Sequence, residues 1–438
     1  MFLTLQSFRG STLIPTVPEP NIRRAVLANG VRLATERMPH VRSVAIGVWL
    51  TRGSRHEPAD HVGIAHFVEH MLFKGTPTRS AEAIAQQVDS IGGQIDAFTS
   101  KEYAGYYVKV LDEHLPLAVE ILADLISNPL FAPDDIEREK KVILEEIKMV
   151  EDTPDDLVHE MFAEGFYGAH PLGRPILGTP VSVSALDQAT LKKYFSRTYV
   201  ASNFVVAAVG NLDHDRVQAL VEQALAPVPQ SGADITQTVP VLSTIVQVRQ
   251  KDLEQSHVCF GLAALPQQHP DRYAGYALNT MLGGSMSSRL FQNVREKRGL
   301  AYAVFSGLSA YHDTGSLSIY AGCANDAVSE LIDVVVAELR QFKAGGAEDV
   351  ELRRAKDHIK GSLMLGLEST SSRMSHLARQ EMYGEQAEGL DEMLAAVEGV
   401  TADDVRRLAQ QFFTNGSLGI TVLGDVSGLT VAKEQLAL

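Results

Sequence analysis

Apolar positions recur along this chain in two rhythms. Residues 31–37 and 43–51 read as strands joined by a proline-containing turn. A helix that is apolar nearly all round follows Gly63 and ends at Gly75, and residues 81–91 form a second. Residues 94–99 and 103–110 read as a hairpin. Helical spacing then fills most of 113–195, before a strand at Phe204. The second half has strands around Ile245 and Val258, helices over 272–282 and 286–296, strands at Ala303 and Leu317, and helices to Phe413. Strands bunched around helical runs predict an α+β fold, with helices packed on one face of a largely antiparallel sheet.

The two halves repeat. Residues 203–213 (NFVVAAVGNLD) resemble 417–427 (SLGITVLGDVS) at an offset of 214, and residues 186–199 match 400–413 at the same offset. One offset across a helix, a turn and a strand implies two homologous domains of about 210 residues. Turn formers without periodicity mark a linker between them. The expected division is an N-terminal extension at 1–22, a first domain at 23–225, a linker at 226–242 and a second domain at 243–438.

The first of these helices carries His66-Phe67-Val68-Glu69-His70, an H-x-x-E-H motif. Residues four apart lie one above the other on a helix, so His66 and His70 can point at one metal ion. Glu69 lies beside them, within reach of a proton on a metal-activated water. Two neutral imidazoles with an adjacent carboxylate suit zinc-assisted hydrolysis. On a helix this apolar, the three polar groups need partners, and a metal would satisfy all of them.

Hydrolytic zinc usually takes three protein ligands and keeps one position open. The segment 134–151 reads as a helix with an acidic first turn after Pro133. Glu139, Ile143, Glu146 and Val150 follow in steps of four, three and four, which places two carboxylates in or beside its apolar stripe. Periodicity favours Glu146 over Glu145 as a ligand without settling the choice.

H-x-x-E-H, with a glutamate 76 residues later in the context E-x-x-x-V-I-L-x-E-I, resembles the pitrilysin family of zinc peptidases. The likeness is to its mitochondrial-processing-peptidase and bacterial branch. It runs over nearly the whole chain from about Arg23. The resemblance implies one Zn2+ per chain, held by His66, His70 and Glu146. Glu69 would be the general base on zinc-activated water, and Glu139 would support the site from behind. The stretch 282–291 (LGGSMSSRLF) lacks the spacing of a phosphate-binding loop. In the family this region faces the zinc across a closed chamber, with Arg295 and Tyr302 matching residues that contact the scissile peptide. The strand around Asp96, Ala97 and Phe98 matches an edge that pairs with substrate backbone. Many relatives have Asn at Asp96.

The implied activity is therefore a zinc metalloendopeptidase acting on peptides or unstructured polypeptide segments. Two domains of about 210 residues make half of the family's four-domain shell, so a chain this long resembles its dimeric branch; because one chain carries both the metal motif and the glycine loop, a homodimer is the economical expectation. The alternative is a non-catalytic structural or partner subunit of the same fold.

The net charge of −15 argues against nucleic-acid binding. Acidity is dense over Glu151, Asp152, Asp155, Asp156, Glu160 and Glu164, which would favour basic peptides if it lined a chamber. Cys259 and Cys323 read as small core residues. The first 20 residues lack signal-peptide features and no stretch is long enough to span a membrane, so a cytoplasmic location is expected.

Overall fold

The computed structural model describes residues 21–231, 238–384 and 389–438. The expected N-terminal extension thus lies almost entirely outside the described residues, as does part of the expected linker.

The first sheet contains β1 (Ile22–Val26), β2 (Arg32–Arg37), β3 (Ser43–Leu50), β4 (Gln94–Thr99), β5 (Ala104–Leu111) and β6 (Phe204–Gly210). Their order is β1-β2-β6-β3-β5-β4, with only β2 and β6 parallel. The centre is occupied by the two most uniformly apolar strands. SVAIGVWL and FVVAAVG are buried on both faces, whereas the edges β1 and β4 are mixed. The second sheet contains β7 (Val246–Gln250), β8 (Ser256–Ala264), β9 (Ala301–Ala310), β10 (Gly315–Cys323) and β11 (Gly419–Gly424), in the order β7-β11-β8-β10-β9. This is the path β2-β6-β3-β5-β4 traced again, with β7 and β11 as the parallel pair. The internal repeat is therefore a repeat of topology.

The first half carries helices α1 (Ile64–Leu72), α2 (Ala81–Ser90), α3 (Leu115–Ser127), α4 (Pro133–Asp152), α5 (Pro154–Tyr167), α6 (Pro180–Ala185), α7 (Gln188–Thr198) and α8 (His214–Leu225). The second carries α9 (Arg272–Leu282), α10 (Val328–Gly345), α11 (Asp349–Gly366), α12 (Thr370–Tyr383), α13 (Leu390–Gly399) and α14 (Ala402–Phe412). The helix expected over 286–296 begins later. Gly283 and Gly284 both donate to the carbonyl of Asn279, ending α9, and the chain turns before a short π-helical stretch at Phe291–Glu296.

Each sheet packs its own helices on one face. The opposite face is covered by a helix from the other half. Met374, Leu377 and Ala378 of α12 sit on Ala45, Trp49, Val205 and Ala207 of the first sheet. Leu157, Val158, Met161 and Phe162 of α5 sit against Cys259, Tyr320 and Leu423 of the second. A Cβ on Gly261 of β8 would lie 1.9 Å from the Phe162 ring, so this docking depends on the absence of a side chain there. The helices α5 and α12 start 216 residues apart. They are the same element of the two repeats, exchanged between halves.

A buried ion cluster ties the halves beside this clasp. Arg55, 1% exposed, donates to Glu102 at 2.5 Å and to both carboxylate oxygens of Asp313 at 2.9 and 2.7 Å. Glu102 also accepts the His312 N–H and the Tyr383 hydroxyl. Every partner is hydrogen-bonded, the condition under which buried charges are tolerated. Both cysteines are buried in the second sheet and unbridged. Among the described residues, no helix is long and apolar enough to cross a membrane.

Candidate metal centre

The sequence of α1 decides which of its sides faces open space. Ile64, Ala65, Phe67, Val68, Met71 and Leu72 are buried, whereas His66, Glu69 and His70 are only partly so. The helix starts at Gly63, which has φ 91°. A Cβ there would meet the Leu177 carbonyl at 2.7 Å, so glycine alone lets the helix begin against that loop.

The opposing wall is α4. Glu146 faces the two histidines, while Glu145 is exposed and paired with Lys148 at 2.6 Å. His66 Nε2 lies 3.7 Å from Glu146 Oε2, and His70 Nε2 lies 3.7 Å from Glu146 Oε1. One ligand atom from each of the three residues falls within 4.8 Å of the others. Glu139, two turns earlier on the same side of α4, accepts from His70 Nδ1 at 3.0 Å. That bond places the His70 proton on Nδ1 and leaves Nε2 free for a metal.

Two further observations fit a cation at this point. Glu146 Oε2, which faces His66 Nε2, is buried without a hydrogen-bond partner, a costly arrangement for a polar atom. Burial, followed by the charge of His70, lowers the His66 pKa to about 4, so its imidazole is neutral at pH 7. Two imidazoles and one carboxylate are the donor set of a hydrolytic zinc site, and the residues present suit that ion.

Glu69 points into the same space. Thr99 Oγ1, at the end of β4, donates to Glu69 Oε2 at 2.5 Å. Burial raises the Glu69 pKa, with Asp96 and Glu146 adding to the effect, against the opposing pull of Thr99 and His70. A carboxylate raised in this way is a stronger base than an exposed one.

Neither Thr99 nor Lys74 was singled out by sequence reasoning. Lys74 Nζ lies 2.7 Å from Glu139 Oε1 and holds that carboxylate from its far side. The period of two along β4 puts Thr99 on the face of Ala97, toward α1, and is the signal that could have found it.

The other expected site residues lie in two groups. β4 is the outer strand of its sheet, so Asp96, Ala97 and Phe98 stand on an edge. The Asp96 carboxylate takes the Tyr107 hydroxyl at 3.0 Å and the Ala97 N–H at 2.8 Å; Phe98 packs on Tyr103 and Tyr107. Arg295 stacks on Tyr302, 5.0 Å from its ring centre, and Tyr302 is 79% exposed. Among the described residues, no hydrogen bond, ion pair or ring contact joins this pair to His66, His70 or Glu146 within one chain. Part of the acidic segment serves the contact between halves: Glu151 pairs with Arg249 at 3.5 Å.

The sequence model described as Insulinase (Peptidase family M16) matches residues 32–180, and that described as Peptidase M16 inactive domain matches residues 185–359. A Bacillus subtilis protein named as the uncharacterized zinc protease YmxG is 43% identical over 393 residues, covering 90% of this chain and 96% of that protein. A Mycobacterium tuberculosis protein likewise named as an uncharacterized zinc protease is 42% identical over 423 residues, covering 94% of this chain and 95% of that protein. In fold, the chain resembles the crystal structure of a peptidase M16 inactive domain from Pseudomonas fluorescens. The TM-score is 0.88 at 21% identity, over 94% of this chain and 100% of that one. A protease from Helicobacter pylori superimposes with a TM-score of 0.86 at 23% identity, over 92% and 99% of the two chains. With both halves matched and relatives this similar over nearly their full length, the chain belongs to peptidase family M16.

Proposed function

We propose that this chain is a zinc-dependent metalloendopeptidase that cleaves peptides or unstructured polypeptide segments. The observation that carries the reading is the convergence of His66, His70 and Glu146 with the Thr99-held carboxylate of Glu69 beside them. Relatives named as zinc proteases support it. A zinc ion held by His66, His70 and Glu146 would supply Lewis acidity to the scissile carbonyl. Glu69 takes the proton of the attacking water and passes it to the leaving amine, while Glu139 fixes the orientation of His70. The edge of β4 offers backbone groups to an extended peptide, which suits a substrate read by shape more than by sequence.

The catalytic unit is residues 23–225, joined through 226–242 to the second unit at 243–438. Arg295 and Tyr302 belong to a second copy's centre: a homodimer closes the chamber and each copy presents its pair to the other's metal cluster. Incubation of the zinc-loaded chain, and of Glu69→Gln, with a mixed peptide pool tests the reading by mass spectrometry. Internal cuts by the parent and none by the variant are expected. A parent chain that binds zinc and cuts nothing overturns the reading in favour of a non-catalytic subunit.

A further inference from the structure

Glu57 lies nine residues before His66 and has no part in the site described above. Its side chain is nonetheless buried, at 5% exposure, and both oxygens are engaged. Oε2 accepts the Gly63 N–H at 2.9 Å and Oε1 accepts the Ala65 N–H at 2.8 Å. Gly63 is the capping residue of α1 and Ala65 its second residue, immediately before His66.

The first N–H groups of a helix have no partner inside it and normally borrow one from a side chain in the capping position. In α1 that position is a glycine, the first turn holds no acidic residue, and no local side chain caps it. Glu57 supplies the missing cap from six and eight residues upstream. It also places an acidic group at the positive end of the helix dipole. Burial raises its pKa to about 8, with the two N–H groups and the charges of Lys101 and Arg174 only partly opposing the rise.

The carboxylate is itself fixed at its base. The Glu57 N–H donates to the Ser54 carbonyl at 3.2 Å, and its own carbonyl accepts from Arg174 at 3.4 Å. On its other side, the start of α1 abuts the backbone of Leu177 and Gly178. The first turn is therefore clamped between the Glu57 loop and the 177–178 loop. His66 sits in that first turn, and Glu69 and His70 lie one turn further on. Any tilt of the helix start changes where the two imidazoles meet Glu146 on α4.

We infer that Glu57 is a positioning residue for this centre, a cap that fixes α1 at the angle at which His66 and Glu69 serve the metal and the water. The inference rests on the zinc-peptidase reading above. It demands two acceptor oxygens on one side chain, each taking one N–H. Glutamine at 57 would turn its NH2 toward one of two N–H donors, aspartate is one methylene short of spanning both, and alanine leaves both donors buried and unpaired.

The full chain carrying Glu57→Gln, Glu57→Asp or Glu57→Ala tests this by four measurements. These are zinc affinity by chelator competition, the visible spectrum of the Co2+-loaded protein, kcat and KM on a peptide, and melting of the metal-free chain. Glu57→Gln is expected to lose roughly tenfold in zinc affinity, the low end of what groups supporting metal ligands contribute. Its kcat should fall with KM within about twofold and its Co2+ bands should shift, while its metal-free melting stays close to that of the parent. Glu57→Asp should fall between Gln and parent in affinity and kcat, and it decides the matter should Gln or Ala not fold. Parent-like zinc affinity, Co2+ spectrum and kcat in a folded Gln or Asp variant overturn the inference while leaving the zinc-peptidase reading intact. A parent chain that binds no zinc overturns both.

Discussion

Glu139 holds His70 in place from the side away from the other ligands: its Oε2 lies 3.0 Å from His70 Nδ1, and its Oε1 is 2.7 Å from Lys74 Nζ. The chain thus builds a short relay from α1 to α4 and back to Lys74, two residues past the end of α1. The relay fixes both the tautomer and the ring plane of His70. Replacing Glu139 with Gln keeps the shape but lets the amide present its NH2 to the imidazole, which permits the wrong tautomer. Glu139→Gln is expected to weaken zinc binding by about 10- to 100-fold. Competition with a chromophoric chelator measures this directly, and unchanged affinity would count against the relay.

The hydrogen bond from Thr99 to Glu69 joins the edge strand β4 to the base. A peptide that adds to β4 would press on the strand that orients the carboxylate. Thr99→Val removes the donor at nearly constant volume. A hydrogen bond to a charged group is worth about 1.5–3 kcal/mol, or roughly 10- to 100-fold in kcat if it acts mainly on the transition state. Steady-state kinetics on one peptide should show kcat falling with little change in KM. A rise in KM alone would assign Thr99 to substrate binding.

Arg295 and Tyr302 stack on each other in one half, while the metal cluster lies in the other, with no hydrogen bond, ion pair or ring contact between them among the described residues. If each chamber is built in trans, two different defects can complement. Glu69→Gln leaves the Arg295 pair intact, and Arg295→Ala leaves the metal centre intact. Mixed dimers of the two would contain one chamber with both parts unaltered. Co-expressed and co-purified mixtures should recover activity that neither homodimer has, up to roughly half the parent activity in each mixed dimer. Failure to recover any activity would place the two elements in one chain's chamber or dismiss the pair's role.

The parts of this molecule that were legible in its sequence are those governed by local periodicity. The bounds of β4 and α9, the strands at β3 and β6, and the H-x-x-E-H face of α1 all follow from the local pattern of apolar residues, whereas the placing of β3 and β6 at the sheet centre does not. The choice of Glu146 over Glu145 needed the family pattern, because both lie near the same helical stripe. The geometry separates them by exposure, with Glu145 turned to solvent and Lys148. The exchange of α5 and α12 between halves was not legible. Their apolar faces state that something is buried, but a helix carries no mark of which sheet it covers. The Arg55 cluster was hidden for the same reason, since its members are spread from residue 55 to residue 383. Glu57 escaped because a cap supplied from six residues away leaves no capping signature beside the helix.

His56 offers a measurement of pH-dependent stability at the foot of the metal helix's loop. It is 6% exposed, and its Nδ1 accepts the Gly53 N–H at 3.0 Å. Burial, then the charges of Arg52 and Arg55, lowers its pKa to about 3, against the opposing pull of the Gly53 carbonyl. The unfolded chain binds a proton at this histidine near pH 6.5, whereas the folded chain does so only near pH 3. Between those values the unfolded state holds more protons, so stability falls as pH drops below about 6.5 and the loss levels off near 3. At pH 5 the site should cost about 2 kcal/mol relative to pH 7, at 1.36 kcal/mol per pH unit. His56→Asn keeps an acceptor for the Gly53 N–H and removes the titration. Urea unfolding of parent and variant at pH 7 and pH 5 should show the variant losing about 2 kcal/mol less stability over that interval. Equal losses in the two proteins would mean that His56 is protonated in the folded state at pH 5, and that its buried environment does not exclude the charge.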